Sequence, residues 1–263
     1  TTKYAITKKS LETKDKISPN TIPTLLAPIK SFCVMNDILL NWKKIGKLLP
    51  AKVKLTGQSA WQTEDVQKML DVSTKLEQRA LIHVLASTAT RIGGFEGFQL
   101  MNMRDVDHGC KKLTIYAGEI EEYVTFLTPE ASYAVDLHIR QRRDQGEEIT
   151  PESYLFRAKY PFGTVKLLSR GSMSMIMQRI IIKANLRGNK KLKGHDRTVC
   201  NTRTDITYDT NRGARYGTQL NHGFRKRYNT IMKLNNQVND NAIEKMMGHK
   251  NGLDGTYLQI TDE

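Results

Sequence analysis

The chain is 263 residues long, enough for one large domain or for a small domain joined to a larger one, each with its own hydrophobic core. Lys and Arg number 41 against 27 Asp and Glu, for a formal net charge of +14 and a pI near 9.6, a field that gathers polyanions, although a merely soluble Lys-rich surface would carry the same sign. Cys33, Cys110 and Cys200 form no C-x-x-C pair, and no apolar run reaches the roughly 20 residues of a membrane span. A disulfide framework, a structural zinc site and a membrane helix are therefore not indicated, and a reducing cytoplasmic compartment is expected.

The chain opens on Thr1 without Met and without the apolar core of a signal peptide, as a fragment of a longer protein would. Its first stretch is polar and Lys-rich up to "SPNTIP", where Pro19 and Pro23 discourage a continuous helix. Leu25, Leu26, Ile29, Phe32, Cys33 and Met35, then Ile38, Leu39, Trp42, Ile45, Leu48 and Leu49, recur at helical spacing and predict a small helical domain. Lys43, Lys44 and Lys47 fall on its wet side. "PAKVKLTGQSA" reads as a linker, which places domain boundaries at 1–55 and 61–263.

The second domain starts with Thr63 as candidate N-cap, acidic Glu64 and Asp65 in the first turn, and a buried stripe of Val66, Met69 and Leu70. A second helix carries Leu76, Ala80, Leu81, Val84 and Leu85 and stops before "TRIGG". Leu113 to Phe126 changes to strand character around "AGEIEE" and predicts a β-hairpin, after which Thr128 and Pro129 restart helix. "SMSMIMQRIIIKANL" is a core helix, its methionines packing residues. The polar stretch from Asn185 to Gln219, rich in Arg and Lys, is a long loop whose Lys190, Lys191 and Lys193 fit phosphate contacts and a solvated charge run equally well. The fold class is thus mainly α with a small antiparallel β-sheet.

Near the C-terminus, "HGFRKRYNTIMKL" places His222 and Arg225 on one side of a helix, with Phe224, Tyr228 and Ile231 free to face the core. The next helix, through Ala242, Ile243, Met246 and Met247, stops at Gly248, so that His249 emerges from a rigid end, with Tyr257 a short turn later. Two histidines, an arginine and a tyrosine without a carboxylate pair suit attack on a phosphate better than metal-assisted hydrolysis. A tyrosine hydroxyl needs a neighbouring base and a cationic pocket to attack, and guanidinium forks supply such a pocket for nonbridging phosphate oxygens. Taken singly, each residue has a plainer reading: a surface histidine for His222, a helix-end cation for His249, packing for Tyr257, a helix-end salt bridge for Arg91.

The ordered set resembles the tyrosine recombinases, the integrase and Xer-like group. H-x-x-R at His222 and Arg225, Gly248-His249 and Tyr257 resemble that family's C-terminal motifs, and "STATRIGGFEGFQL" its first arginine motif, with Arg91 as second guanidinium. The details look most like archaeal integrases. The resemblance implies a helical core-binding domain plus an α+β catalytic domain, clamped on double-stranded DNA and working as a tetramer on paired sites. It implies cleavage through a 3′-phosphotyrosyl link with no metal, no ATP and no other cofactor. In that scheme Tyr257 attacks, Arg91 and Arg225 steady the transition-state charge, His222 assists proton removal and His249 contacts a nonbridging oxygen. A nucleoid-associated location follows.

Three departures stand out. The hairpin turn carries Glu119, Glu121 and Glu122 where the family has a lysine, leaving only Lys111 and Lys112 nearby. Gly94 stands where an acidic residue usually follows the first arginine, with Glu96 beyond it. The chain ends soon after Tyr257, leaving the usual exchanged C-terminal helix short or missing, so that assembly is expected to be weak or made by other surfaces. A type IB topoisomerase-like relaxing enzyme and an inactive DNA-binding regulator on the same fold are the alternatives, the second favoured by the missing lysine.

Overall fold

In the computed structural model, residues 19–51, 59–158, 165–186, 218–235 and 238–249 are described. The N-terminal arm, most of the linker, the basic loop with Lys190, Lys191 and Lys193, and Tyr257 all lie outside them. The chain divides after Gln58 into two units.

In the first unit, helix α1 (Ile22–Met35) takes Pro23 in its first turn, where a missing N–H breaks no intrahelical bond. Helix α2 (Trp42–Lys47) is capped by Asn41, whose side chain accepts the Lys44 N–H at 2.9 Å. The apolar stripe that predicts these helices is not buried. Leu25, Ile29, Phe32 and Met35 are exposed, and only Ile22 and Cys33 of α1 are covered, because two short helices offer too little surface to form a second layer. Lys43, Lys44 and Lys47 face water as expected.

The second unit is built around helix α4 (Leu76–Thr88), in which Ala80, Leu81, Ile82, Val84 and Leu85 are all buried. It packs against helices α5 (Pro129–Asp144) and α7 (His222–Leu234) and strand β3 (Tyr123–Leu127). Helix α3 (Thr63–Asp71) precedes it. Gln62, not Thr63, is the N-cap, in a reciprocal capping box with Asp65 that puts Thr63 inside the helix. Thr128 caps α5 as expected, its hydroxyl accepting the Ala131 N–H. The methionine helix α6 (Arg170–Lys183) buries Met173, Met177, Ile180 and Ile181.

Strand β2 (Lys111–Ile115) pairs antiparallel with β3 from Lys111↔Leu127 to Ile115↔Tyr123. The expected hairpin gains a third strand, β1 (Met103–Asp105), paired as Met103↔Leu113. Three residues are too few for a periodic signal. Strands β4 (Arg157–Ala158) and β5 (Lys166–Leu167) make a small separate ribbon. Under α5, buried Arg142 bonds both oxygens of Glu147 and the carbonyls of Tyr154 and Leu155, pinning the following loop. His138, stacked on Phe156, is buried beside it, and this burial pushes its pKa down to about 4. No helix among the described residues is long and apolar enough to cross a membrane.

Candidate active site

Arg91 owes its position to a left-handed turn. After α4, Ala89 adopts φ 54°, which reverses the chain, buries Thr90 and leaves Arg91 extended and exposed. Ile92–Phe95 then coils into a single 3₁₀ turn. A Cβ on Gly94 would stand 2.7 Å from Thr90 Cγ2 and 2.8 Å from Ile115 Cγ2, so the position occupied by an acid in the resembled family is here a glycine that lets the sheet press onto the arginine turn.

Helix α7 is placed from the far end of the unit. Trp61 donates its indole N–H to the Leu220 carbonyl at 2.9 Å, and a Cβ on Gly223 would lie 2.6 Å from that same nitrogen. Phe224 drops into the core beside Trp61, whereas Ile231, expected inward, is half exposed. Arg225 is 3% exposed. One terminal nitrogen donates to the Ala89 carbonyl at 2.6 Å, the other to the Met247 carbonyl at 3.0 Å and to His249 Nε2 at 2.9 Å.

Helix α8 (Asp240–Met246) ends as predicted at Gly248, whose φ of 70° turns the chain so that His249 faces Arg225. Because a guanidinium can only donate, His249 Nε2 accepts and its Nδ1–H is given to the Glu244 carboxylate, which also holds Lys233. The Tyr123 ring lies against Gly248: a Cβ there would be 2.6 Å from Tyr123 Cε1. Its hydroxyl reaches Thr90 Oγ1 at 3.2 Å, so one side chain braces both the arginine turn and the histidine turn.

Arg91, His222, Arg225 and His249 are close enough to act on one another's charge. Burial, then the positive charges of Arg225, Lys226 and Arg91, hold His222 below the ordinary histidine value, which keeps a neutral, proton-accepting ring at neutral pH. Burial and Arg91 lower the Arg225 pKa, although a guanidinium remains charged throughout the physiological range. Burial raises the Tyr123 phenol despite the two arginines beside it.

Neither hairpin lysine reaches this cluster. Lys111 is held by Asp105 and by Asp136 at 3.0 Å, and although burial opposes its charge these carboxylates raise its pKa. Lys112 occupies the opposite face of the sheet from Lys111, Leu113 and Ile115, the face that Ile115 shares with its cross-strand partner Tyr123. Within the turn, the Glu122 carboxylate accepts the Gly118 N–H at 2.6 Å. Glu96 accepts the Arg170 backbone N–H. Lys43 and Lys44 belong to the first unit. Among the described residues no three His, Cys, Asp or Glu side chains gather as a metal site requires. Tyr123, Glu244 and Trp61 are the supports that residue patterns did not single out. Glu244 leaves a sequence trace only in hindsight, five positions before His249 at the start of "EKMMGH".

The fold is that of the tyrosine recombinases, as the motifs imply. The chain is similar to XerA recombinase (TM-score 0.51, 15% identity, 95% of this chain and 82% of that one). It is also similar to the Tn1549 transposon integrase, in complex with circular intermediate DNA (TM-score 0.56, 13% identity, 99% of this chain and 80% of that one) and with transposon right end DNA (TM-score 0.55, 13% identity, 95% and 76%). No protein-family model and no curated protein matches the sequence.

Proposed function

We propose that this protein is a site-specific DNA recombinase that cuts and rejoins double-stranded DNA through a 3′-phosphotyrosyl intermediate formed by Tyr257, without metal or ATP. The convergence of Arg91, Arg225, His222 and His249 from three distant chain segments carries the reading, because it puts two fixed positive charges and a neutral base around one point. The net charge of +14 suits a phosphate backbone, with Lys43, Lys44, Lys190, Lys191 and Lys193 as backbone contacts.

In the reaction the Tyr257 hydroxyl gives its proton to His222 and attacks phosphorus. Arg91 and the remaining donors of Arg225 take up the charge that builds on the nonbridging oxygens. His249 Nε2, an acceptor from Arg225 without DNA, takes up a proton from water as the phosphate binds and donates it to a nonbridging oxygen, with Glu244 at Nδ1 balancing the charge. The link conserves the energy of the broken phosphodiester, so another 5′-hydroxyl reverses the steps. Two paired sites and four protomers would be engaged in a full exchange.

The test offers the protein a randomised pool of nicked duplexes whose cleaved fragment diffuses away, in EDTA, and recovers DNA that stays attached under denaturing conditions. Recovery of defined sequences by the unaltered protein, and none by Tyr257→Phe, is expected. Binding without attachment would establish the DNA-binding regulator instead, and attachment with supercoil relaxation but no need for paired sites would establish a topoisomerase.

A further inference from the structure

Cleavage also needs a proton for the departing 5′-oxygen, and no lysine of the hairpin can supply it. We propose that Tyr116 donates this proton, an assignment that rests on the recombinase reading above.

Tyr116 follows directly on β2, where strand alternation would send its ring to the face of Lys112 and Thr114. Its φ of 56° is a left-handed conformation that is strained for a bulky side chain and turns the ring back onto the other face. The ring centroid lies 6.3 Å from that of Tyr123. Its Cζ is 3.7 Å from where a Gly94 Cβ would stand, and its Oη 3.8 Å from a Cβ on Gly93, the two glycines that follow Arg91 and Ile92. The phenol therefore rests on the arginine turn and is near enough to Arg225 to favour its charged form. It is half-buried, and among the described residues its hydroxyl has no hydrogen-bond partner.

Among the described residues, the other nearby groups are excluded by what they already do. The Tyr123 hydroxyl is given to Thr90. Arg170, whose Cδ lies 3.4 Å from a Cβ on Gly93, cannot release a proton in this pH range. Lys226 shares a helix face with His222 four residues before it, beside the base proposed to take the nucleophile's proton. An in-line displacement puts the leaving oxygen on the opposite side.

The step balances. As Tyr257 Oη bonds to phosphorus the P–O5′ bond breaks, its electron pair goes to O5′, and the proton of Tyr116 Oη moves to O5′ to make a 5′-hydroxyl. The Tyr116 phenolate, beside Arg225, takes the proton back when an incoming 5′-hydroxyl attacks and Tyr257 leaves.

The experiment uses the DNA sequence recovered from the randomised pool, synthesised with an ordinary 5′-oxygen or with a bridging 5′-sulfur at the scissile phosphate, since a thiolate leaves without a proton. Tyr116→Phe should form adduct about 100-fold more slowly than the unaltered protein on the oxygen substrate, and at the unaltered rate on the sulfur substrate, which also shows that the variant is folded. Equal rates for variant and unaltered protein on the oxygen substrate, or a variant equally slow on both, would overturn the assignment. Failure of the unaltered protein on both substrates would instead sink the recombinase reading and the assignment with it.

Discussion

Arg225 and His249 meet at 2.9 Å although they come from different segments of the chain, and the same guanidinium is tied to the Ala89 carbonyl at the end of α4. One buried side chain thus joins three elements. Arg225→Ala would leave the Ala89 and Met247 carbonyls unpaired and cost about 2–4 kcal/mol. Arg225→Lys would keep a charge but lose the planar fork that spans both carbonyls. Urea unfolding should rank the unaltered protein above the Lys variant and the Lys variant above Ala, with covalent attachment to DNA lost in both variants.

Gly248→Ala joins two penalties, a left-handed φ of 70° and a methyl group 2.6 Å from the Tyr123 ring. Gly97 has φ 73° and nothing within 4 Å of its Cβ position. Gly97→Ala should therefore cost about 1–2 kcal/mol and Gly248→Ala about 1–3 kcal/mol more. Equal losses in urea would show that the Tyr123 contact is soft.

His222 is held below its ordinary value by burial and by the cations around it. As a base it stays competent while unprotonated, so lowering the pH should slow adduct formation only below the usual histidine value of about 6.5. A rate profile from pH 5 to 8 checks this, and His222→Asn should remove the acid limb. A limb centred at or above 6.5 would show that some other group takes the proton.

His138 titrates near 4 when folded and near 6.5 when unfolded. Between those values the unfolded state binds the extra proton, so stability is greatest above 6.5 and falls as the pH drops towards 4, by up to about 1.4 kcal/mol per pH unit. His138→Gln keeps a donor for the Leu155 carbonyl and does not titrate. Denaturation at several pH values should show a flatter dependence in that variant.

Local signals in the chain account for α4, for the Thr128 cap and for the stop at Gly248, because each depends on neighbours a few residues away. They also mark Arg91, His222, Arg225 and His249. What they could not show was what holds those residues. Tyr123 reads as an ordinary strand tyrosine until Gly248, far along the chain, is seen beneath it, and Glu244 reads as a solvent-facing helix acid until His249 folds back onto it. The stripe from Leu25 to Met35 misled in the opposite sense, since periodicity reports a helix face without saying whether anything covers it. Lys111 and Lys112 lay near the right turn in sequence, and only the pleat and two aspartates reveal that both are directed elsewhere.

The indole of Trp61, bonded to a carbonyl 159 residues further on, bears on how the protein is made. A growing polypeptide emerges N-terminus first, and contacts this remote in sequence close late. Until α7 leaves the ribosome, Arg91 stands without Arg225, His222 or His249. Prematurely terminated products that stop short of α7 thus carry Arg91 but none of the partners that the proposed strand cleavage requires.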